Sequence, residues 1–588
     1  MKPGNSFATC LLLISAIAQA QTQPTYQWKN PANEKTALVG GQAWPQAAAH
    51  YYDRLPARAE KTVRKEVWDL SRNTAGEYIA FKTSASDIVV RYSSSGSHAF
   101  DHMPATGVSG VDLYAIDTDG QWRWAHGKRE FGDTIQYHFE HLQLSANEEE
   151  FRLYLPLYST VNWLEIGVPA GAGFQFLPPV REQPIVMYGT SILQGGCASR
   201  PGLAFTNILD RQLEHPLINL GFSGNGQLEP AVIDLMNELD ARLFVIDCMP
   251  NLTDSMQYTR AEIKQRLFNA AEKLQRNHPN TPILFTEHCC GIAAANMDST
   301  LGKNYRYTNS VLNEAFSTMV QAGIKNIYLL TADDIGFNTE STVDGTHPND
   351  IGMMQYANAY ENIIRKILHE EKGNTSTTTP VRQRRDYQVY DFMDRHEAVI
   401  KTIQEKNPDL LLIGNSIMHF WGGTPYTANR QNGAQAWKKY LEPLHTVNLG
   451  FGWDRIENVL WRVYHGELDH GKPTNIVLSI GTNNLGFNND EEIIIGLKHL
   501  LQAIRERQPA ARIWLSGIYP RRNMEERILT LNKKISVLSN QPNMQFIDPG
   551  TALLQANQKI DESFFTDGLH PNEKGYEKLA QALLLHLR

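Results

Sequence analysis

Serine, aspartate and histidine recur in the same order twice along this chain. Gly189-Thr190-Ser191-Ile192 ends an apolar run, and 153 residues after the serine Asp344 opens Asp344-Gly345-Thr346-His347-Pro348-Asn349. Gly414-Asn415-Ser416-Ile417 repeats the first motif. Asp567-Gly568-Leu569-His570-Pro571-Asn572 repeats the second, its aspartate 151 residues after Ser416. The closing motifs agree at five of six positions. Such agreement at nearly equal spacing indicates an internal duplication of a catalytic domain of about 200 residues.

The residue types define the chemistry. A serine hydroxyl is a poor nucleophile until a histidine takes its proton. That histidine needs a carboxylate to fix its tautomer and stabilise the imidazolium. An Asp three residues before a His on one short loop can face the serine together with it. Taken singly, Asp-x-x-His is equally a helix cap or a pair of metal ligands, and a lone serine is an ordinary turn residue. Order and repetition favour nucleophilic catalysis at Ser191, Asp344 and His347, and at Ser416, Asp567 and His570. Metal hydrolysis stays open as an alternative that a chelator would reveal. Neither serine motif has the second glycine of the G-x-S-x-G elbow, which argues against an ordinary α/β-hydrolase.

The elements that must position these residues follow from the hydrophobic pattern. Short apolar runs such as Ile185-Val186-Met187-Tyr188, Leu243-Phe244-Val245-Ile246, Leu410-Leu411-Leu412-Ile413 and Ile476-Val477-Leu478 alternate with helical stretches. This predicts two α/β domains, each a parallel sheet covered by helices on both faces. A serine at a strand-to-helix turn then lies at the carboxyl edge of the sheet, where open α/β sheets place their sites. Between Tyr26 and Phe176 the pattern is short alternating stretches rich in aromatic and β-branched residues, which predicts an all-β sandwich. Such a domain is either a glycan-binding module or a packing partner that shapes the cleft. Gly373-Asn374-Thr375-Ser376-Thr377-Thr378-Thr379-Pro380 is polar and of low complexity and reads as a linker. The expected organisation is a signal peptide (1–20), a β-sandwich (21–178), a first hydrolase domain (179–372), a linker (373–385) and a second hydrolase domain (386–588).

Composition narrows the partners. With 588 residues and a formal charge of −8, the chain lacks the basic footprint expected of a nucleic-acid binder. Lys2, the apolar residues between Ala8 and Ala18, and Ala18-Gln19-Ala20 follow the pattern of a secretory signal with an A-x-A cleavage site. The expected location is therefore periplasmic or secreted. That run is shorter than the roughly 20 residues needed to span a bilayer, so no membrane insertion is expected. Cys197, Cys248, Cys289 and Cys290 allow three pairings and show no zinc-ligand spacing. No cofactor or metal is expected.

The paired motifs resemble those of SGNH (GDSL-type) hydrolases, flavodoxin-like esterases with four sequence blocks. The resemblance covers about 400 residues and implies two flavodoxin-like domains with oxyanion donors in the second and third blocks. In Asn219-Leu220-Gly221-Phe222-Ser223-Gly224-Asn225 the matching second-block residue is Gly224. In Asp247-Cys248-Met249-Pro250-Asn251 the matching third-block residue is Asn251. The second half matches through Trp453, in Asn448-Leu449-Gly450-Phe451-Gly452-Trp453-Asp454, and Asn483, in Gly481-Thr482-Asn483-Asn484. Trp453 and Asn415 depart from the usual glycine and aspartate. A backbone N–H serves from any residue but proline, so Trp453 keeps the donor and adds a ring at the rim. Asn251-Leu252-Thr253 is also a glycosylation sequon, but the catalytic reading is preferred.

Two branches of the family are implied. Gly110-Val111-Asp112-Leu113-Tyr114, with Gly195-Gly196-Cys197-Ala198-Ser199-Arg200-Pro201-Gly202, resembles bacterial SGNH esterases that carry a G-x-D-L-Y domain. Arg395-His396-Glu397 and Trp453-Asp454-Arg455…Asn458-Val459-Leu460-Trp461-Arg462 are similar to the platelet-activating-factor acetylhydrolase branch. The tandem arrangement resembles bacterial carbohydrate and sialate O-acetylesterases, which implies an acetylated glycan as substrate. Arg200 and Arg455 are the expected partners for a sialate carboxylate, and Trp421 and Trp453 are candidates to stack on a sugar ring. Acetylated xylan, a lipid or thioester, and a second half that only binds glycan are the alternatives.

Overall fold

The computed structural model describes residues 25–253, 256, 258–289, 297–427 and 430–587. The signal-like residues 1–20 and Cys290 lie outside them. No helix among the described residues is long and apolar enough to cross a membrane.

The N-terminal region is a sandwich of two antiparallel sheets. One runs Tyr26–Lys29, Thr160–Pro169, Ile88–Ser95, Ile135–Phe139, Lys128–Glu130, and the other Phe174–Leu177, Tyr78–Thr83, Glu149–Tyr154, Asp112–Ile116, Trp122–Ala125. Alternation places Ile88, Val90 and Tyr92 of one sheet against Ile79, Phe81, Leu113 and Leu153 of the other, all fully buried.

Two α/β domains follow. In the first, the parallel strands lie in the order Leu217–Gly221, Ile185–Gly189, Leu243–Asp247, Ile283–Thr286, Ile327–Leu330. In the second they lie in the order Thr446–Gly450, Leu410–Gly414, Asn475–Ser479, Arg512–Ser516, Met544–Ile547. Both have the 2-1-3-4-5 order of flavodoxin-like folds. Helices cover both faces, which is why the central strands are continuous apolar runs rather than alternating ones.

The expected boundary at residue 178 does not divide the cores. Leu55, Ala59, Val63, Val67 and Trp68, which precede most of the β strands in sequence, pack with Val186, Tyr188, Leu220 and Phe222 of the first hydrolase sheet. The buried Arg54 donates from Nη1 to the carbonyls of Asn219 (3.0 Å) and Gly221 (2.9 Å) and lies 5.0 Å from the Phe222 ring. In the second domain Arg395 does the same from the helix Phe392–Lys406, which leads directly into the first strand. It donates to Gly450 (2.9 Å) and Asn448 (3.3 Å) and lies 5.0 Å from the Phe451 ring. One structural position is thus filled by the β region in the first domain and by the domain's own helix in the second.

The expected linker is also a packed element. Thr377, Thr378, Arg382, Gln383 and Arg384 are buried. Arg382 pairs with Glu150 of the sandwich (2.7 Å) and Glu214 of the first hydrolase domain (3.0 Å), and Thr377 donates to the carbonyl of Glu492 in the second. Polar composition misled here because its polar groups are satisfied by three neighbouring domains instead of by water.

A charged cluster joins the hydrolase domains. His215, wholly buried, bonds Glu182 through Nδ1 (2.9 Å) and Glu370 through Nε2 (2.8 Å), and its ring stacks on His465 at 4.2 Å. Arg242 and Arg507 also bond Glu370. Burial pushes the His215 pKa down, but the Glu370 and Glu182 carboxylates outweigh it and raise the value above the ordinary one. Burial would likewise raise Glu370, yet His215 and the arginines lower it to about 2. A raised folded-state histidine pKa stabilises fully below the unfolded value of about 6.5 and loses that effect as pH rises through the folded value. His215→Gln is therefore expected to lower stability most at pH 5–6, on the order of 3–5 kcal/mol for a broken buried pair. The gap to the parent should narrow towards pH 9. Thermal melts across that range check it, and a gap independent of pH would refute a charged His215.

Candidate active sites

Each serine sits in the first turn of a short helix entered directly from the first strand of its sheet. Thr190 caps the helix Ser191–Gln194 by accepting from Ile192 N–H, and Asn415 caps Ser416–His419 by accepting from Ile417 N–H at 2.9 Å. Asn415 is thus an N-cap, a role Asn fills as well as Asp, and its missing charge leaves the local structure intact. The helix then runs close beside the second strand. A Cβ on Gly221 would meet the Gln194 backbone nitrogen at 2.4 Å, and one on Gly450 the His419 nitrogen at 2.2 Å, so only glycine fits.

Sequence reading passed over the asparagine two residues before each of these glycines. Asn219 accepts from Gly221 N–H (2.8 Å) and donates to the Leu193 carbonyl (2.8 Å). Asn448 accepts from Gly450 N–H (2.7 Å) and donates to the Met418 carbonyl (2.8 Å). Each therefore ties its nucleophile helix to the strand. The signal was present as the repeated Asn-Leu-Gly-Phe.

Both triads are assembled. Ser191 Oγ lies 2.8 Å from His347 Nε2, and His347 Nδ1 donates to Asp344 Oδ2 at 2.7 Å. Ser416 Oγ lies 2.9 Å from His570 Nε2, and His570 Nδ1 donates to Asp567 Oδ2 at 2.7 Å. The other oxygen of each aspartate accepts from the backbone N–H of its own histidine, at 2.8 and 2.7 Å. Partial burial pushes both aspartates up, but these bonds from the histidine ring and backbone prevail and hold them below the usual carboxylate range. Each carboxylate is therefore ionised at neutral pH and fixes its histidine with Nδ1 protonated and Nε2 facing the serine.

The oxyanion turns correspond as well. Gly224 has φ +70° and Trp453 φ +65°, so the tryptophan takes the same left-handed conformation and leaves its N–H available. Its ring is about half exposed, on the rim. The residue before each is held from the nucleophile helix: Ser223 N–H donates to Gln194 Oε1 (2.9 Å) and Gly452 N–H to His419 Nδ1 (3.1 Å). Burial, with Arg395 nearby, depresses the His419 pKa well below the ordinary value, as its acceptor role requires. Asn251 accepts from Gly226 N–H (3.1 Å), which leaves its amide protons for the site. Asn483 donates one proton to the Asp454 carbonyl (2.9 Å) and keeps the other. Asn251 is buried, so a glycan at the sequon has no room.

The strap at 373–385 supports the second turn. Gln383 donates to the Gly452 carbonyl (2.9 Å) and Asp454 Oδ1 (3.0 Å). Arg385 donates to the Trp453 carbonyl (3.1 Å) and to Asp119 of the sandwich (2.6 Å).

Three expected substrate contacts are corrected or narrowed. Arg200 is a docking residue. It pairs with Asp112 and donates to Tyr114 (2.8 Å), while Gly202 N–H also donates to Asp112 (2.9 Å). The Asp and Tyr of Gly-Val-Asp-Leu-Tyr thus grip the loop beyond the first nucleophile. Trp421 is fully buried in the second domain's core and stacks on nothing in the site. The Arg455 guanidinium sits over the Phe487 ring at 3.8 Å, with Asp119 and Glu457 no nearer than 3.8 and 4.0 Å. Cys197 and Cys248 are buried thiols without a disulfide. Among the described residues two clusters, Glu182–His215–His465 and Asp87–His138–Glu140, have metal-ligand spacing, and neither contains a triad residue.

Comparison with known proteins agrees with this layout. Residues 182–365 and 412–578 each match the GDSL-like Lipase/Acylhydrolase family, and residues 26–174 match the N-terminus of Esterase SGNH hydro-type proteins. Platelet-activating factor acetylhydrolase IB subunit alpha2 of Homo sapiens is 30% identical over 197 residues, 33% of this chain and 81% of the relative. Subunit alpha1 of Bos taurus is 28% identical over the same length and 80% of its own. A crystal structure assigned as a GDSL-like lipase from Bacteroides ovatus is 30% identical, with a TM-score of 0.53, and covers 59% of this chain and 98% of its own.

With these parts the arrangement can transfer an acyl group from an ester to serine and then to water. Histidine carries the proton to the leaving alcohol and later takes one from water, and the turn N–H and the asparagine amide are the donors expected to meet the oxyanion. Ser191→Ala and Ser416→Ala are each expected to abolish one domain's share of aryl acetate hydrolysis, and the double variant to fall to background. Asn251→Ala, tested in the Ser416→Ala chain, should lose about 10²–10³ in kcat. Trp453→Gly, tested in the Ser191→Ala chain, should stay within a few fold because the donor is backbone. Steady-state kinetics check all of these, and an undiminished double variant would overturn the mechanism.

Proposed function

We propose that this chain, which belongs to the GDSL-like lipase/acylhydrolase family in both α/β domains and is a carboxylic ester hydrolase, removes O-acetyl groups from carbohydrate outside the cytoplasm. The observation that carries the reading is the character of the rims. His102 beside the first triad with Phe100 stacked on it, Trp453 in the second oxyanion turn, and Phe487 against Arg455 are exposed flat rings. Flat rings flanked by polar groups suit the alternating apolar faces and hydroxyls of a sugar ring better than an acyl chain. An acetyl acyl group is supported by relatives whose names state acetylhydrolase activity. Export is supported by the signal-like first twenty residues.

O-acetylated sialic acid is the favoured substrate at the second site, where the Arg455 guanidinium sits over the exposed Phe487 ring and has no carboxylate nearer than 3.8 Å. The locked Arg200 removes the corresponding argument from the first site and favours a neutral acetylated glycan such as xylan there. Acetate release from O-acetylated sialoglycan and from acetylated xylan, measured for the two serine variants, tests the division. Ser416→Ala should lose most sialoglycan activity and Ser191→Ala most xylan activity. Activity on neither glycan, with aryl acetate still cleaved, would overturn the carbohydrate reading.

A further inference from the structure

The β-sandwich approaches the first catalytic histidine. Between the strands Ile88–Ser95 and Asp112–Ile116 the chain makes a tight turn in which Phe100 and Met103 exchange backbone hydrogen bonds of 2.9 and 3.1 Å. The turn is fastened to the hydrolase domain. Met103, only 2% exposed, enters the core that includes Ile192 and Leu193 of the nucleophile helix, and Thr106 Oγ1 donates to the Ser199 carbonyl at 2.6 Å. Just before these anchors Phe100 and His102 stay open to solvent. The His102 ring lies 5.8 Å from that of His347. Phe100 stacks on the His102 ring at 6.1 Å and meets Tyr158 edge-on at 5.5 Å, and Tyr158 in turn donates to the Ser191 carbonyl at 3.1 Å.

Acyl transfer fixes what this position means. The protonated histidine must hand its proton to the departing oxygen, so the alcohol half of the ester lies on the histidine side and the oxyanion donors lie across from it. We infer that Phe100 and His102 form the alcohol-binding wall of the first active site, so that the β domain selects the leaving group of one site and not the other. In the second site the ring against the catalytic histidine is the domain's own Phe420, a buried core ring 4.8 Å from His570, with the Arg430 guanidinium 4.7 Å from the Phe420 ring. The two catalytic histidines are therefore flanked differently, by exposed rings of the β domain in the first site and by a core ring of the hydrolase domain itself in the second. This wall is independent of which sugar is cleaved, although its value for a pyranose rests on the reading proposed above.

The test uses the full chain with Ser416→Ala, so that only the first site reports. Acetyl esters of methanol, cyclohexanol and methyl glucoside vary the alcohol, and methyl acetate and methyl butanoate vary the acyl group. Phe100→Ala and His102→Ala should lower kcat/KM about tenfold or more on the two ring alcohols, chiefly through KM, and less than twofold on both methyl esters. Phe100→Leu, which keeps the packing on Tyr158 but removes the flat face, should show the same selectivity for ring alcohols. Equal losses across all esters would mean a merely structural role, and unchanged kinetics would mean no contact; either overturns the wall. Cleavage of the cyclohexyl ester without the glucoside would refute the carbohydrate reading alone, and the wall would still be judged on the cyclohexyl ester.

Discussion

A buried guanidinium on two carbonyls at the end of an edge strand underlies both hydrolase domains. Leu217–Gly221 and Thr446–Gly450 each pair with one neighbour only, so their outer carbonyls need a partner once helices cover them. Arg54 and Arg395 supply it, each lowered by burial to about 10 and hence still charged at neutral pH. The same strand ends carry the glycine that admits the nucleophile helix and lead into the oxyanion turn. Serine, turn and strand are thus set by one local arrangement. In the first domain its arginine comes from the β region, which makes that region part of the catalytic fold and not an appendage.

Duplication has preserved the chemistry and varied its supports. The triad distances agree within a tenth of an ångström between the domains. The contact that holds the oxyanion turn is made by Gln194 in one and His419 in the other, and the turn itself by Gly224 or Trp453. Catalysis constrains distances and protonation states, and several side chains can meet those demands. The rims are free of that constraint, and there the two sites diverge most.

The strap at 373–385 shows why composition misleads at domain junctions. Its threonines, arginines and glutamine are those of a solvated linker, yet Thr377, Thr378, Arg382, Gln383 and Arg384 are buried between three domains, and Gln383 and Arg385 brace the second oxyanion turn. Whether a polar side chain faces water or a partner depends on what lies across from it, and nothing within the segment records that. Arg200 was misread for the same reason. Its loop lies near a nucleophile in sequence, but Asp112 and Tyr114, almost 90 residues earlier, take its guanidinium.

The sequence by itself carried the duplication, the two parallel α/β domains and the Ser, Asp and His that the structure brings into hydrogen-bonded triads, while the flavodoxin-like class and the expected oxyanion positions came with the family resemblance. These are carried by short motifs whose geometry is local: a strand-to-helix turn, an Asp and His three apart on one loop, an Asn-Leu-Gly-Phe strand end. Tertiary structure alone decided which core residues 54–68 join, that the strap is a support, that Arg200 docks the β domain, and that His102, stacked on Phe100, stands beside His347. Each of those depends on contacts between residues distant in the chain, where apolar burial and charge pairing select the partner and local pattern carries no trace of it.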